Sequence, residues 1–326
     1  MDYEIVKARP DEKDKIVAFF NKEWKKSQML NEDKMFDFYF RNGNELQFVL
    51  AKRRGHSSIA GASGFFLSSE SDVWLSNTCI KSGESPFLIF QILEYFKTIA
   101  PNIHDVNCTE QMKRIFQRAG FQTGEYIHFF RVIKEDDYKI IQITNRLKMP
   151  SISGFINNVR EITSFEEMQR ITVAYEAANP KKTKEYIWHR YKEFPYEEFE
   201  YRIWLAVYEG MQALVVTREQ AIGNAAILRI VDIIGQEICL KAIIGFLVDF
   251  GRERNCEYVD CFCCGIPKET MRECGFTYNI ENSCIIPDNF SPLQRENVTI
   301  NYATNNIYGF KAFKADGDMD RPNLWR

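Results

Sequence analysis

Two nine-residue stretches of this chain, KRIFQRAGF (113–121) and KETMRECGF (268–276), share a leading Lys, an apolar residue three on, and a closing Gly-Phe. They lie 155 residues apart, close to half of the 326-residue length. A fixed offset of this size says that one unit is built twice, which constrains the fold more than any composition does.

The surroundings repeat with the motif. Ahead of the first copy come an apolar run (73–80), the turn-forming Ser-Gly-Glu-Ser-Pro, the helical pattern FLIFQILEYFK (87–97) and a short extended piece (105–108). Ahead of the second come AAILRIVDII (225–234), Gly235, the helical run ICLKAIIGFLVDFGRER (238–254) and the strand-like EYVDCFCC (257–264). Each half therefore reads strand, glycine turn, helix, strand, short helix, Gly-Phe, strand, with periods of 2 and 3.6 in the right places. The starts also agree: YEIVKA at Tyr3 and VREIT at Val159. A helix is expected over 11–26 and a hairpin of 46–52 with 58–67, turning at Arg54-Gly55. The second half should carry helices near 165–177 and 184–192, and strands at 203–208 and 213–218 turning at Glu209-Gly210. The polar stretch 134–150 reads as the linker, giving domains 1–148 and 149–326.

Net charge is −3, and neither half is strongly basic. Binding to nucleic acid, which needs a surplus of Lys and Arg, is not expected. Residues 221–234 are the most apolar stretch of the second half. They are broken by Arg229 and Asp232, so no transmembrane segment is expected and the chain reads as cytoplasmic. Seven of nine cysteines fall between Cys239 and Cys284. No paired CxxC accompanies Cys261, Cys263 and Cys264, and the four histidines are distant in sequence. Small buried thiols on one strand face explain Cys261 and Cys263, so no metal is expected.

The element order, with Arg-Ala-Gly-Phe at 118–121 and Glu-Cys-Gly-Phe at 273–276, resembles the GCN5-related N-acetyltransferase family. The resemblance implies an α+β, three-layer α/β fold: two tandem domains, each a mixed twisted sheet flanked by helices. It covers most of both halves, and the tandem arrangement is similar to mycothiol synthase and, more distantly, the Fem-type aminoacyl transferases. A narrower set of segments (185–207, 227–235 and 313–323) resembles bacterial acetyltransferase-like proteins encoded among surface-polysaccharide genes. This implies a sugar-linked amine as acceptor and acetyl-CoA or another acyl-CoA as donor.

In that family the acyl-CoA pyrophosphate is held by backbone N–H groups at a helix start, where unpaired donors and the helix dipole favour an anion. The matching loops are 81–86, with Lys81, Ser82, Gly83 and Ser85, and 234–237, with Gly235 and Gln236. Each keeps one glycine and places a Glu (Glu84, Glu237) beside the expected pyrophosphate, so each also reads as a structural turn. The general-acid Tyr of the family is replaced by Phe116 and Met271, neither of which can donate a proton. Asp232, near Arg229 on a central strand, is the candidate base, or a member of an ion network with Arg229 or the tail.

Asp316, Asp318 and Asp320 alternate ahead of Arg321. Arg321 stands where an EF-hand needs Gly, so calcium binding of that kind is excluded. The tail reads as a solvated acidic segment, as a closure over the acceptor, or as a casual divalent site. The aromatics Tyr308, Phe310, Phe313 and Trp325 would anchor it. Arg190 and Tyr191, in the aromatic stretch 188–196, read as substrate-binding or as core packing. Two functions remain open: an N-acyltransferase with a small-molecule amine acceptor, or a catalytically degenerate binding or assembly module. A third, aminoacyl transfer from charged tRNA, is disfavoured by the low net charge. The sequence leaves the oligomeric state open.

Overall fold

The computed structural model describes residues 3–24, 29–145, 147–152, 158–173, 178–279, 283–290 and 292–322. The chain divides into two compact units. Unit one holds Met1–Gly124, Asn301–Ile307 and Gly317–Arg326; unit two holds Glu125–Ile300 and Tyr308–Asp316. The boundary expected at 148/149 is thus corrected. The segment read as a linker belongs to unit two, where Ile140 and Ile141 are buried and the Glu257 carboxylate accepts from the backbone N–H groups of 139–141. An apolar pair and three captured amides hold a stretch that looked merely polar.

Unit one is built from β1 (Tyr3–Lys7), α1 (Lys13–Glu23), α2 (Asp33–Phe40), β2 (Phe48–Arg53), β3 (Ile59–Ser69), β4 (Asp72–Ile80), α3 (Leu88–Phe96), β5 (Asn102–Val106), α4 (Glu110–Arg118) and β6 (Gln122–Glu125). Next in sequence is β7 (Ile127–Val132), which pairs in unit two. Unit two adds β8 (Val159–Ile162), α5 (Phe165–Arg170), α6 (Lys184–Lys192), β9 (Tyr201–Tyr208), β10 (Met211–Ile222), β11 (Ala225–Gly235), α7 (Leu240–Glu253), β12 (Cys256–Cys264), α8 (Lys268–Glu273) and β13 (Thr277–Tyr278). The chain closes with β14 (Asn301–Thr304), in unit one, and β15 (Ala312–Phe313), in unit two.

The sheet of unit one runs β1-β2-β3-β4-β5-β14-β6; that of unit two runs β8-β9-β10-β11-β12-β7-β13, with β15 against β12. In both, the fourth and fifth strands form the parallel pair and their neighbours are antiparallel. The duplication read from the sequence is therefore present in the topology. Each unit takes its sixth sheet position from the other half of the sequence, β14 in one case and β7 in the other. No sequence period announces such an exchange.

The repeated motif does the same job twice. After α4, Gly120 adopts φ +86 and the Phe121 N–H reaches the Phe116 carbonyl at 3.0 Å; after α8, Gly275 adopts φ +89 and Phe276 reaches Met271 at 3.0 Å. This six-to-one closure needs a left-handed residue, and it turns the following Phe into the core. Phe121 and Phe276 are both buried. The helix expected over 165–177 ends at Arg170, where Ile171 is extended; 174–177 lie outside the described residues, as do Lys25 and Lys26 of the first expected helix. Among the described residues no helix is long and apolar enough to cross a membrane.

Candidate functional site

In unit one the parallel seam between β4 and β5 is short. It joins Asp72–Trp74 to Asn102–His104, and beyond that the strands part. A buried set of hydrogen bonds closes one end: His104 Nε2 to Asp72 at 3.0 Å and His104 Nδ1 to the Thr304 hydroxyl at 2.9 Å. The parting begins at Asn77, an extra residue in β4 between the Ser76–Gly64 and Thr78–Ser63 pairs, with φ +48. Such a bulge bends its strand and re-aims its side chains. The parted strands leave a 510 Å³ cleft lined by Leu75, Ser76, Asn77, Asp105, Met112 and Asp318 among others.

Asp105 has no hydrogen bond to its carboxylate among the described residues. Burial raises its carboxyl well above the ordinary value, and the charge of Asp318 adds to the rise. Asp318 itself accepts from the Ser76 hydroxyl at 2.8 Å and pairs with Arg321 at 3.6 Å. It reaches this position because Gly317, at φ +63, lies flat on Val106; a Cβ there would meet Val106 Cγ2 at 2.3 Å. Cys79 also lines the cleft, and burial pushes its thiol up to about 11, so it stays protonated.

At the end of β4, the loop 81–86 leads into α3. Gly83 takes φ +83 with open space around it, and the Ser85 hydroxyl caps the Phe87 N–H at 3.3 Å. Glu84, the apparent obstacle to an anion, turns away: it accepts from Tyr3 at 2.8 Å and Arg53 at 3.0 Å. A different carboxylate, Glu23 of α1, accepts from the Ser82 N–H at 3.1 Å. Among the described residues the Lys81 ammonium has no ion pair.

The equivalent splay in unit two is occupied by the chain itself. β11 and β12 pair from Ala226–Cys256 to Ile230–Cys261 and then separate around the extra residue Val231. β15 enters the gap. Phe313 and Ala312 pair with Cys263 and Cys264, and the Ala315 N–H donates to the Val231 carbonyl at 2.9 Å. Two buried ion networks fix this insertion. Lys314 pairs with Asp288 at 2.7 Å, and Asp288 with Arg229 at 2.9 Å; Arg229 also pairs with Asp260 at 2.7 Å, and Asp260 with His128 at 2.8 Å. Lys182 joins Asp232 at 2.7 Å to Asp316 at 2.6 Å. Burial alone would lower the Lys182 ammonium, but the two aspartates outweigh it and hold it above its ordinary value. Burial pushes the Asp316 carboxyl up to about 6; Lys182 opposes the rise and the charge of Asp232 adds to it. A cavity of 90 Å³ remains. Larger concavities of 670 and 740 Å³ in this unit draw no lining residue from β12.

These positions revise several readings from the sequence. Asp232 does not pair with Arg229. It accepts from Lys182, from Tyr191 at 2.6 Å and from its own following N–H, which leaves a fully engaged carboxylate rather than a poised base. The Arg190 guanidinium is buried among the rings of Tyr191, Phe194 and Tyr201 at 5.4–5.8 Å, so its surroundings are those of core packing. Gly235 is required for close approach, since a Cβ would meet Val173 at 2.5 Å, and Gln236 spends its N–H on the Gln212 carbonyl. The tail is not solvated: Asp316 and Asp320 are buried, and Asp316 and Asp318 fall in different units, so the three aspartates are not one ligand set. Phe310 and Phe313 are buried anchors, Tyr308 is exposed, and Trp325 lies outside the described residues.

Cys261 and Cys263 share one buried face, as their alternation requires. Among the described residues no group of three or more His, Cys, Asp or Glu could hold a metal ion. Sequence reasoning missed Asp105, Lys182, His128, Asp260, Asp288 and Lys314. The 155-residue offset, applied along the whole chain, pairs Asp105 with Asp260 and was the available signal.

Set against solved structures, the chain covers 93% of its length on a GCN5-related N-acetyltransferase from Anabaena variabilis, at 11% identity, TM-score 0.54 and 72% of that chain. It does the same on a probable N-acyltransferase of unknown function from Enterococcus faecalis, at 8% identity, TM-score 0.52 and 72% of that chain. The fold is that of the GCN5-related N-acetyltransferases, laid down in tandem. A third structure with this fold, from Kribbella flavida, aligns at 11% identity and TM-score 0.51, with 93% of this chain and 70% of that one covered. No protein-family model and no curated protein matches the sequence. Identities this low carry the fold and stop there.

Proposed function

We propose that the chain is an acyl-CoA-dependent N-acyltransferase whose reaction takes place in the cleft of unit one, with unit two as a structural partner. One observation carries this reading: the splay of unit one is open over 510 Å³ while that of unit two is filled by β15. A thioester arm needs a gap between the fourth and fifth strands, and among the described residues only unit one retains it. In this reading Lys81, Ser82, Gly83 and Ser85 face the donor's phosphates, Asp318 and Arg321 line the acceptor side, Asp320 is a buried residue of unit one, and Asp232, Gly235, Gln236, Arg190, Tyr191, Arg229 and Asp316 hold unit two together. Phe116 supplies no proton, so rate comes mainly from holding amine and thioester together. An amino sugar or nucleotide sugar is the acceptor suggested by the resemblance to proteins of polysaccharide gene clusters, and a cytoplasmic location goes with it.

A second reading, a binding module without catalysis, draws on the Glu23 carboxylate at the Ser82 N–H, where a donor phosphate would have to displace it. Calorimetric titration of acetyl-CoA into the full chain separates the two. Saturable binding that weakens in Lys81→Glu supports the acyltransferase; no binding by the wild-type protein favours the module.

A further inference from the structure

We propose that the 740 Å³ concavity beside α8 in unit two binds a phosphorylated small molecule, its phosphates held by Lys148, Lys268 and Arg272. The site is separate from the cleft of unit one and does not depend on the acyltransferase reading. One wall is the helix. Met271 of α8 is buried, which leaves Lys268 and Arg272, four residues apart, exposed on one side. The other wall is the stretch 148–151. Arg131 of β7 holds the two walls at a fixed spacing: its guanidinium donates to the Pro150 carbonyl at 2.8 Å and to the Gly275 carbonyl at 2.7 Å. Phe276, which is buried, and the half-buried Met149 and Tyr278 give the concavity an apolar lining.

The duplication supplies an internal comparison. The 155-residue offset sets Lys268, Arg272 and Tyr278 against Lys113, Gln117 and Thr123 of unit one. There Gln117 donates to the Thr123 hydroxyl at 2.8 Å, and Lys113 is spent on Glu110 at 3.5 Å and on Asn301 at 3.0 Å. In unit two the same positions carry two cations and an aromatic ring, and both cations are left over. Among the described residues none of Lys148, Lys268 and Arg272 has an ion pair. The Lys268 ammonium lies 4.4 Å from the centre of the Tyr278 ring, a contact that places the charge without neutralising it. Of the two acids in the lining, Glu273 is taken by Lys241 at 2.8 Å. Three free cations thus face one free acid, Glu269, in a chain whose net charge is −3.

The ligand class follows from that imbalance. Like charges around one concavity repel, and a multiply charged anion between them turns the repulsion into attraction. A phosphate or diphosphate carries the matching charge and enough oxygens to take a forked bond from Arg272 and single bonds from two ammonium groups. The apolar lining has no use for a bare inorganic ion, so the phosphate should be borne by an organic body. Two walls and a chain of negative net charge suit a small molecule better than a nucleic acid, which needs a long basic face.

The test is calorimetric titration of the full chain with ADP, with inorganic pyrophosphate and with adenosine. ADP should bind most tightly, pyrophosphate more weakly and adenosine not at all, and added salt should weaken ADP binding. The double variant Lys268→Glu, Arg272→Glu changes only exposed side chains, so it should keep the wild-type circular dichroism while losing at least about tenfold in ADP affinity. Lys81→Glu, at the loop of unit one where the ADP portion of a CoA donor would otherwise sit, should leave ADP affinity unchanged. The proposal is overturned if ADP does not bind, if adenosine binds as well as ADP, or if ADP affinity falls in Lys81→Glu and survives in the double variant. Pyrophosphate binding as tightly as ADP would overturn the organic body. Each of these results can be read whether or not the chain transfers acyl groups.

Discussion

The two units carry the same acid at the same place and treat it in opposite ways. In unit two Asp260 is buried, ionised and held by Arg229 and His128; burial opposes its charge, and the charges and hydrogen bonds of Arg229 and His128 together outweigh burial, keeping its carboxyl below the ordinary value. In unit one Asp105 faces an open cleft with a like charge beside it. The difference teaches what duplication allows. One copy turned the splay between its parallel strands into a salt-bridged core by inserting its own tail. The other kept the gap, and with it an acid that makes no hydrogen bond through its carboxylate among the described residues. A single αβ design thus serves as scaffold and as candidate site, and the side chains around one strand position decide which.

Each prediction either breaks that contrast or sharpens it. The largest effect is expected from Arg229→Leu, which gives unit two the side-chain type that unit one has at this position. It leaves Asp260 and Asp288 buried beside one another without their shared cation, and should cost about 3–5 kcal/mol of unfolding free energy in urea. A loss below about 1 kcal/mol would mean that the network is not what holds the tail insertion.

Gly317→Ala should come next, at about 2–3 kcal/mol, because it combines an unfavourable φ with an overlap on Val106. Unlike Arg229→Leu, it should also disturb the acceptor side of the cleft, raising KM for the amine while acetyl-CoA affinity is kept.

A pH effect of up to about 3 kcal/mol is expected from Asp316. Its carboxyl sits at about 6 in the fold against an ordinary 3.8. The folded state therefore binds more protons than the unfolded state between those values, and this contribution to stability is lost as pH rises through that window. His128, lowered mainly by burial, acts in the opposite sense. The readout is accordingly the difference between wild-type and Asp316→Asn stability curves, which should shrink from pH 4 to pH 6. A flat difference would contradict the assignment. The smallest effect is reserved for the loops: Lys81→Ala should weaken acetyl-CoA binding about fivefold, whereas Gln236→Ala should leave it unchanged.

How far the sequence could be read depends on which forces were local. The Gly-Phe closures, the strand pairs at 203–208 and 213–218, and the helix at 184–192 follow from turn chemistry and period, which neighbouring residues determine among themselves. The crossing of β7 and β14 between the two halves of the sequence is a long-range pairing, and a strand carries no mark of which sheet it joins. Asp232 reads in the sequence as a candidate base or a charge in need of a partner, and the residue it contacts, Lys182, sits in a lysine-rich stretch, PKKTK, that reads as solvated. Asp105 was passed over because an isolated aspartate on a short strand looks ordinary until its counterpart 155 residues on is seen to be clamped. The tail misled for a related reason: alternating aspartates suggest water, and only the cations of unit two reveal that two of the tail's charged residues are core.

The central claim is that the donor enters unit one because unit two is already full. A crystal of the full chain soaked with acetyl-CoA tests it directly. The account predicts ligand density between β4 and β5, with the phosphates at residues 81–86 and the thioester beside Asn77 and Asp105. Density between β11 and β12, with β15 displaced, would contradict it.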